Sequence, residues 1–187
     1  MRILMTGGTG LIGGILSKAL HQRGCQLTVL SRHPDTVISK CGPGTGIFTS
    51  LDQWNPEQVF DVVINLAGEP IADKHWSVRQ KQEIRDSRVT LTQQLVRKIA
   101  TVNRKPTVLL SGSAIGYYGS RGNELLDETS AIGRGFSADL CGDWESAALQ
   151  AEGHGVRVCL LRTGLVLSEN GGLLSRMRLP FGFGVTH

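Results

Sequence analysis

The chain has 187 residues, 40% of them hydrophobic and 19% charged, with a formal net charge of +4. That length predicts one domain or one and a fraction, and the ordinary apolar content excludes a disordered chain. Its apolar runs fall far short of the roughly 20 residues a membrane helix needs, and its basic residues are too scattered to argue for nucleic acid or a membrane surface.

Short apolar strands alternate with amphipathic helical stretches. Arg2 to Met5 predicts a strand, followed by a glycine turn that also interrupts any secretory h-region. A helix is expected from Leu11 to Gln22, stopped by Gly24. Gln26 to Leu30 gives a second strand and Gly46 to Thr49 a weaker third. The continuous branched run Asp61 to Leu66 suits a fourth strand covered on both faces. Ile84, Leu91, Leu95 and Ile99 keep helical spacing within one long helix, Ser77 to Val102, and Pro106 ends that region. Thr107 to Leu110 is strand five. The glycine-rich stretch 112–135 is too long for a plain connection and reads as a functional loop. A helix from Ser137 to Glu152 and a sixth strand, Val156 to Leu161, complete the series. This order predicts an α/β fold, a doubly wound parallel sheet of Rossmann type. Residues 1–167 are expected to form a dinucleotide-binding domain. Residues 168–187 are expected to begin a smaller C-terminal substrate lobe that is cut short.

Thr6-Gly7-Gly8-Thr9-Gly10-Leu11-Ile12-Gly13 lies between the first strand and the first helix. Gly7 permits a tight turn, Gly10 admits a pyrophosphate close to the backbone, and Gly13 lets the helix press on the sheet. An anion there meets unpaired N–H groups at the positive end of the helix dipole, with Thr9, Leu11 and Ile12 on the same turn. The second strand ends Leu30-Ser31-Arg32-His33-Pro34-Asp35. The Arg32 fork suits a ribose 2′-phosphate and Ser31 offers a hydroxyl beside it, so the cofactor expected is NADP (NADPH). A solvated Arg32 is the competing reading, and Asp35 is the competing ribose ligand, though Pro34 carries it past the pocket. Asn65-Leu66-Ala67-Gly68 ends strand four with small residues, and Leu66, Ala67 and Gly68 are expected to lie along the cofactor.

The four cysteines show no CxxC spacing and read as reduced thiols of a cytoplasmic protein. The five histidines form no metal-ligand pattern, and no metal is expected. Gly112-Ser113-Ala114-Ile115-Gly116 has the GxSxG spelling of a hydrolase elbow, but the residues after it do not open a helix. Cys141, Trp144 and Glu145 read as packing and capping residues of their helix.

Taken together, the TGGTGLIG turn, Asn65 to Ala72 (NLAGEPIA) with Trp76, Ser111 to Gly119 (SGSAIGYYG) and Leu161-Arg162-Thr163-Gly164 resemble the short-chain dehydrogenase/reductase superfamily. The branch is the atypical, extended NAD-dependent epimerase/dehydratase group, whose members are often labelled epimerase family proteins and sometimes cell division inhibitors. The resemblance covers residues 1 to about 180. It implies a Rossmann fold, NADP use and a C-terminal substrate lobe, and it places Glu83 and Arg88 on the cofactor. By their spacing alone, those two are a solvated helix face.

The superfamily's Tyr-x-x-x-Lys pair is missing. The only tyrosines are Tyr117 and Tyr118, and no lysine follows Lys105. On the helix before strand six, Ser137 and Cys141 stand at the two positions. Ser113 matches the superfamily's serine, and Tyr117, four residues before Arg121, is the remaining candidate for acid–base work, with a role as pocket wall as the plainer alternative. The resulting expectation is hydride transfer between NADP and a small, sugar-nucleotide-like molecule. A non-catalytic NADPH sensor and a truncated, inactive product are the competing readings.

Overall fold

The computed structural model describes residues 1–71, 74–168 and 171–172. Six parallel strands form one sheet: β1 (Arg2–Thr6), β2 (Gln26–Leu30), β3 (Gly46–Phe48), β4 (Val62–Asn65), β5 (Val108–Ala114) and β6 (Arg157–Thr163), in the order β3-β2-β1-β4-β5-β6. The order reverses at β1, where one half winds away from the other, so the carboxyl ends of β1 and its neighbours open a crevice. Leu167–Ser168 (β7) bridges antiparallel to Gly171 and Gly172 outside this sheet. Apart from Ser168, Gly171 and Gly172, the expected second-lobe segment 168–187 lies outside the described residues.

Alternation along each strand explains the double winding. Ile3, Met5, Val29 and Ile64 face α1 (Leu11–Gln22) and α2 (Val37–Cys41), where Val37 and Cys41 close the layer. Leu4, Val63 and Leu109 face the other way and pack with Leu95, Val96 and Ile99 of α4 (Leu91–Thr101). Burying both faces is what lets Val62–Ile64 read as an unbroken apolar run.

Three expectations are corrected. The helix expected from Ser77 to Val102 is α3 (Val78–Arg85), a π-helical turn Asp86–Thr90, and α4. Strand five continues to Ala114, so Ser113 is part of β5 and not a residue after it. The last helix, α5 (Phe136–Leu149), ends earlier than expected and passes through a 3₁₀ turn, Gln150–His154. Among the described residues, no helix is long and apolar enough to cross a membrane.

Candidate functional site

A cleft of about 1250 Å³ opens at the carboxyl ends of β1, β2 and β4. Its floor is the glycine turn. Gly7 has a φ of +71°, and a Cβ there would lie 2.5 Å from the Leu66 carbonyl. Only glycine allows the first turn to touch the end of β4 this closely. A Cβ on Gly13 would lie 2.2 Å from the Gly7 oxygen, which fixes α1 against the turn. Gly10 caps α1 at its N-terminus, with an ordinary φ of −76°. It faces the cleft, and the helix behind it leaves its first amides, those of Leu11, Ile12 and Gly13, free of helical partners.

The cleft joins most of the expected cofactor residues. Gly7, Thr9 and Gly10 line its floor, Ser31 and Arg32 one side, Leu66, Ala67 and Gly68 the other, and Glu83 the rim. Leu11, Ile12 and Gly13 lie in the first helical turn behind that lining, Gly13 fully covered and Ile12 exposed. Arg88 stands behind Gly68, where a Cβ would meet its Cζ at 2.7 Å. Its Nη1 donates to the carbonyls of Glu69 and Ile84 at 3.0 and 3.3 Å, and its guanidinium packs over the Trp144 ring. Burial pulls the Arg88 pKa down, an effect opposed by Cys141 and Glu69. Glu83 is engaged by Arg79 at 2.9 Å and by Lys74 at 3.8 Å. Sequence reasoning missed Glu69 and the far wall of the cleft, where Asp52, Gln94 and Arg97 stand. The last two sit on the polar side of an amphipathic helix, a pattern that looks like a solvated face until the fold is known.

A row of buried polar groups links the strand ends. The register sets Thr6 beside Asn65 and Asn65 beside Ser111. Thr6 Oγ1 donates to Asn65 Oδ1 at 2.6 Å, and Asn65 Nδ2 donates to Thr92 Oγ1 at 2.7 Å. Trp144 Nε1 donates to the same threonine oxygen at 3.0 Å, which ties α4 and α5 to the sheet.

The second expected group, Ser113 and Tyr117, lies at the ends of β5 and β6 and outside the lining of the large cleft. Ser113 pairs with Arg162 in register, and its Oγ donates to Glu145 Oε1 at 2.5 Å. Arg162 forks onto both Glu145 oxygens at 2.9 Å. Its Nη1 donates to Tyr118 Oη at 3.0 Å and to the Glu128 carbonyl at 3.1 Å, while its plane lies 3.6 Å from the Tyr117 ring centre. Hydrogen bonding to Glu145 pushes the Arg162 pKa above its ordinary value against the pull of desolvation. Glu145 is thus a buried ligand of Ser113 and Arg162, not a packing or capping residue. Its helix is weakly patterned, and nothing local distinguishes an inward carboxylate. Burial raises the Cys141 thiol and keeps it protonated, and a cysteine in either form offers no cation at the position where the superfamily resemblance would put lysine.

Comparison with known proteins agrees with this geometry. An epimerase family protein of Mycobacterium bovis is 39% identical over 192 residues, 98% of this chain and 60% of that protein. The chloroplastic SDR39U1 homolog of Arabidopsis thaliana is 37% identical, over 97% of this chain and 53% of that protein. The chain therefore spans between half and two thirds of the length of these relatives. Human epimerase family protein SDR39U1 (isoform 2), solved with NADPH, superposes with a TM-score of 0.84 at 32% identity, covering 99% of this chain and 61% of its own. UDP-glucuronic acid 4-epimerase of Bacillus cereus, at 18% identity and a TM-score of 0.72, shares the fold. The profile of the NAD dependent epimerase/dehydratase family matches residues 3–180, and the chain belongs to that family.

Proposed function

We propose that this chain is the NADP(H)-binding unit of an epimerase-type oxidoreductase that acts on a small, hydroxyl-bearing, sugar-nucleotide-like molecule. The observation that carries the reading is the glycine floor, where Gly7 and Gly13 sit so close to backbone that a Cβ is excluded and Gly10 stays open to the cleft. In this reading the diphosphate rests on that floor and on the amides of Leu11, Ile12 and Gly13. Ser31 and Arg32 take the ribose 2′-phosphate, as NADP sites do with an arginine after the second strand. Leu66, Ala67 and Gly68 lie along the cofactor, with Arg88 holding Gly68 from behind and Glu83 at the rim. Support for NADP also comes from the human relative solved with NADPH. When bound, the nicotinamide supplies a site that accepts or gives hydride.

The chain's own groups then orient the reacting oxygen. The Ser113 hydrogen is committed to Glu145, so the Ser113 oxygen offers lone pairs. It accepts from a substrate hydroxyl in preference to donating to a carbonyl, and Glu145, itself fixed by Arg162, holds the Ser113 hydroxyl in that orientation. Tyr117 serves as the aromatic wall beneath Arg162.

A second reading, an NADPH-binding regulator without turnover, is favoured by one observation: the buried, uncharged Cys141 stands where a lysine would activate a phenol. Fluorescence titration with NADPH and NADH tests the cofactor assignment. NADPH binds more tightly, Arg32→Ala removes the preference, and equal affinities in the unaltered chain refute the assignment. Following the nicotinamide absorbance across nucleotide sugars and small carbonyls separates the enzyme from the regulator.

A further inference from the structure

Glu69 follows the end of β4 and Arg32 follows the end of β2, and these strands flank β1 on opposite sides. The contact between Arg32 Nη2 and Glu69 Oε2 at 3.5 Å therefore crosses the end of β1, at the mouth of the cleft that both residues line. The main chain of Glu69 is held: its amide donates to Ser87 Oγ at 2.9 Å and its carbonyl accepts from Arg88 at 3.0 Å. Its other carboxylate oxygen lies 3.6 Å from Lys74. Glu69 is thus largely covered while the guanidinium it meets is 78% exposed, so Arg32 is the partner free to turn.

We propose that Glu69 is a specificity-determining residue that competes with the ribose 2′-phosphate for Arg32, and this rests on the NADP reading of the cleft. A phosphorylated ribose gives Arg32 a dianion in exchange for the carboxylate. A free 2′-hydroxyl has no charge to offer, so such a coenzyme binds with Arg32 still on Glu69. The carboxylate accordingly weakens binding of the phosphorylated coenzyme and leaves the other almost unchanged. Preference for NADP is then held below what Arg32 alone would give.

The test is a set of titrations of the 187-residue chain with NADPH and NADH, using the unaltered protein, Glu69→Gln, Arg32→Ala and the double variant. Glu69→Gln keeps the shape and removes the charge. It tightens NADPH about three- to tenfold, a gain that shrinks at high salt, while NADH changes less than about twofold. On the Arg32→Ala background the gain largely disappears, because the carboxylate acts through that guanidinium. Weaker NADPH binding in Glu69→Gln makes Glu69 a direct ligand of the coenzyme and overturns the proposal. An equal gain for both coenzymes, or a full gain without Arg32, overturns it as well. Failure of the unaltered chain to bind either coenzyme instead removes the reading of the cleft, and the proposal with it.

Discussion

Arg162 grips Glu145 with two parallel hydrogen bonds of 2.9 Å, in a place where the carboxylate is 6% and the guanidinium 16% exposed. The same guanidinium reaches Tyr118 and Glu128, so one ion pair fastens the segment after β5 to α5 and β6. Removing one partner leaves the other charge covered and uncompensated. Glu145→Gln is expected to cost about 3 kcal/mol in urea unfolding, and Arg162→Met a similar amount. The double variant loses less than the sum of the two, a coupling that additive losses would contradict.

The glycines of the first turn separate folding from binding. Gly13→Ala drives a Cβ into the Gly7 carbonyl and the Gly8 Cα, both backbone atoms that cannot step aside. It should destabilise the chain by at least about 2 kcal/mol. Gly10→Ala meets only the Gly7 oxygen, at 3.3 Å, in a conformation open to any residue. Its stability loss stays within about 1 kcal/mol, yet NADPH affinity falls about tenfold as the new methyl enters the cleft. Thermal unfolding and coenzyme titration on the same preparations give both numbers.

Asn65 is the joint of the sheet's working end. Its amide bonds Thr6, Thr92 and Ser111 while only 1% exposed. Asn65→Ala takes one hydrogen bond from each of three buried hydroxyls at once and is expected to cost about 3 kcal/mol. Asn65→Asp exchanges the donor for an acceptor and should recover little, as hydrogen exchange of the β4 and β5 amides would reveal.

Asp61 sets part of the acid response. The Arg2 amide donates to its Oδ2 at 2.7 Å and holds its carboxyl below the ordinary carboxylate value, against an opposing desolvation. The folded pKa therefore lies below the unfolded one. The contribution to stability is whole above the unfolded value, about pH 3.9, and fades as pH falls through the folded one. Asp61→Asn should flatten the unfolding midpoint over that acidic window and leave its shape at neutral pH unchanged.

Much of the fold was legible because both of its signals are local. Branched runs such as Val62–Ile64 mark buried parallel strands, and glycine spacing marks the turn after β1. The short helix α2 left no such mark, since five residues carry too little periodicity. The cleft was readable for the same reason: the distances of Gly7, Gly10 and Arg32 from their strand ends put them on its lining. Glu145 and Arg162 were not, because 17 residues separate them and only the packing of α5 over β6 makes them partners. Glu69 escaped notice because its meaning comes from Arg32, 37 positions away.

The π-helical turn Asp86–Thr90 works as a phase adjuster. Each residue of an α-helix advances about 100° around its axis, so a wide turn lets α3 and α4 aim independently. That freedom lets Ile84 and Val89 seat against α5 while Arg88 slips behind Gly68. Trimming one amino acid from this bend would let the wide turn close into an ordinary α-turn, taking away the room in which Arg88 passes behind Gly68 while Glu83 keeps nearly its present bearing.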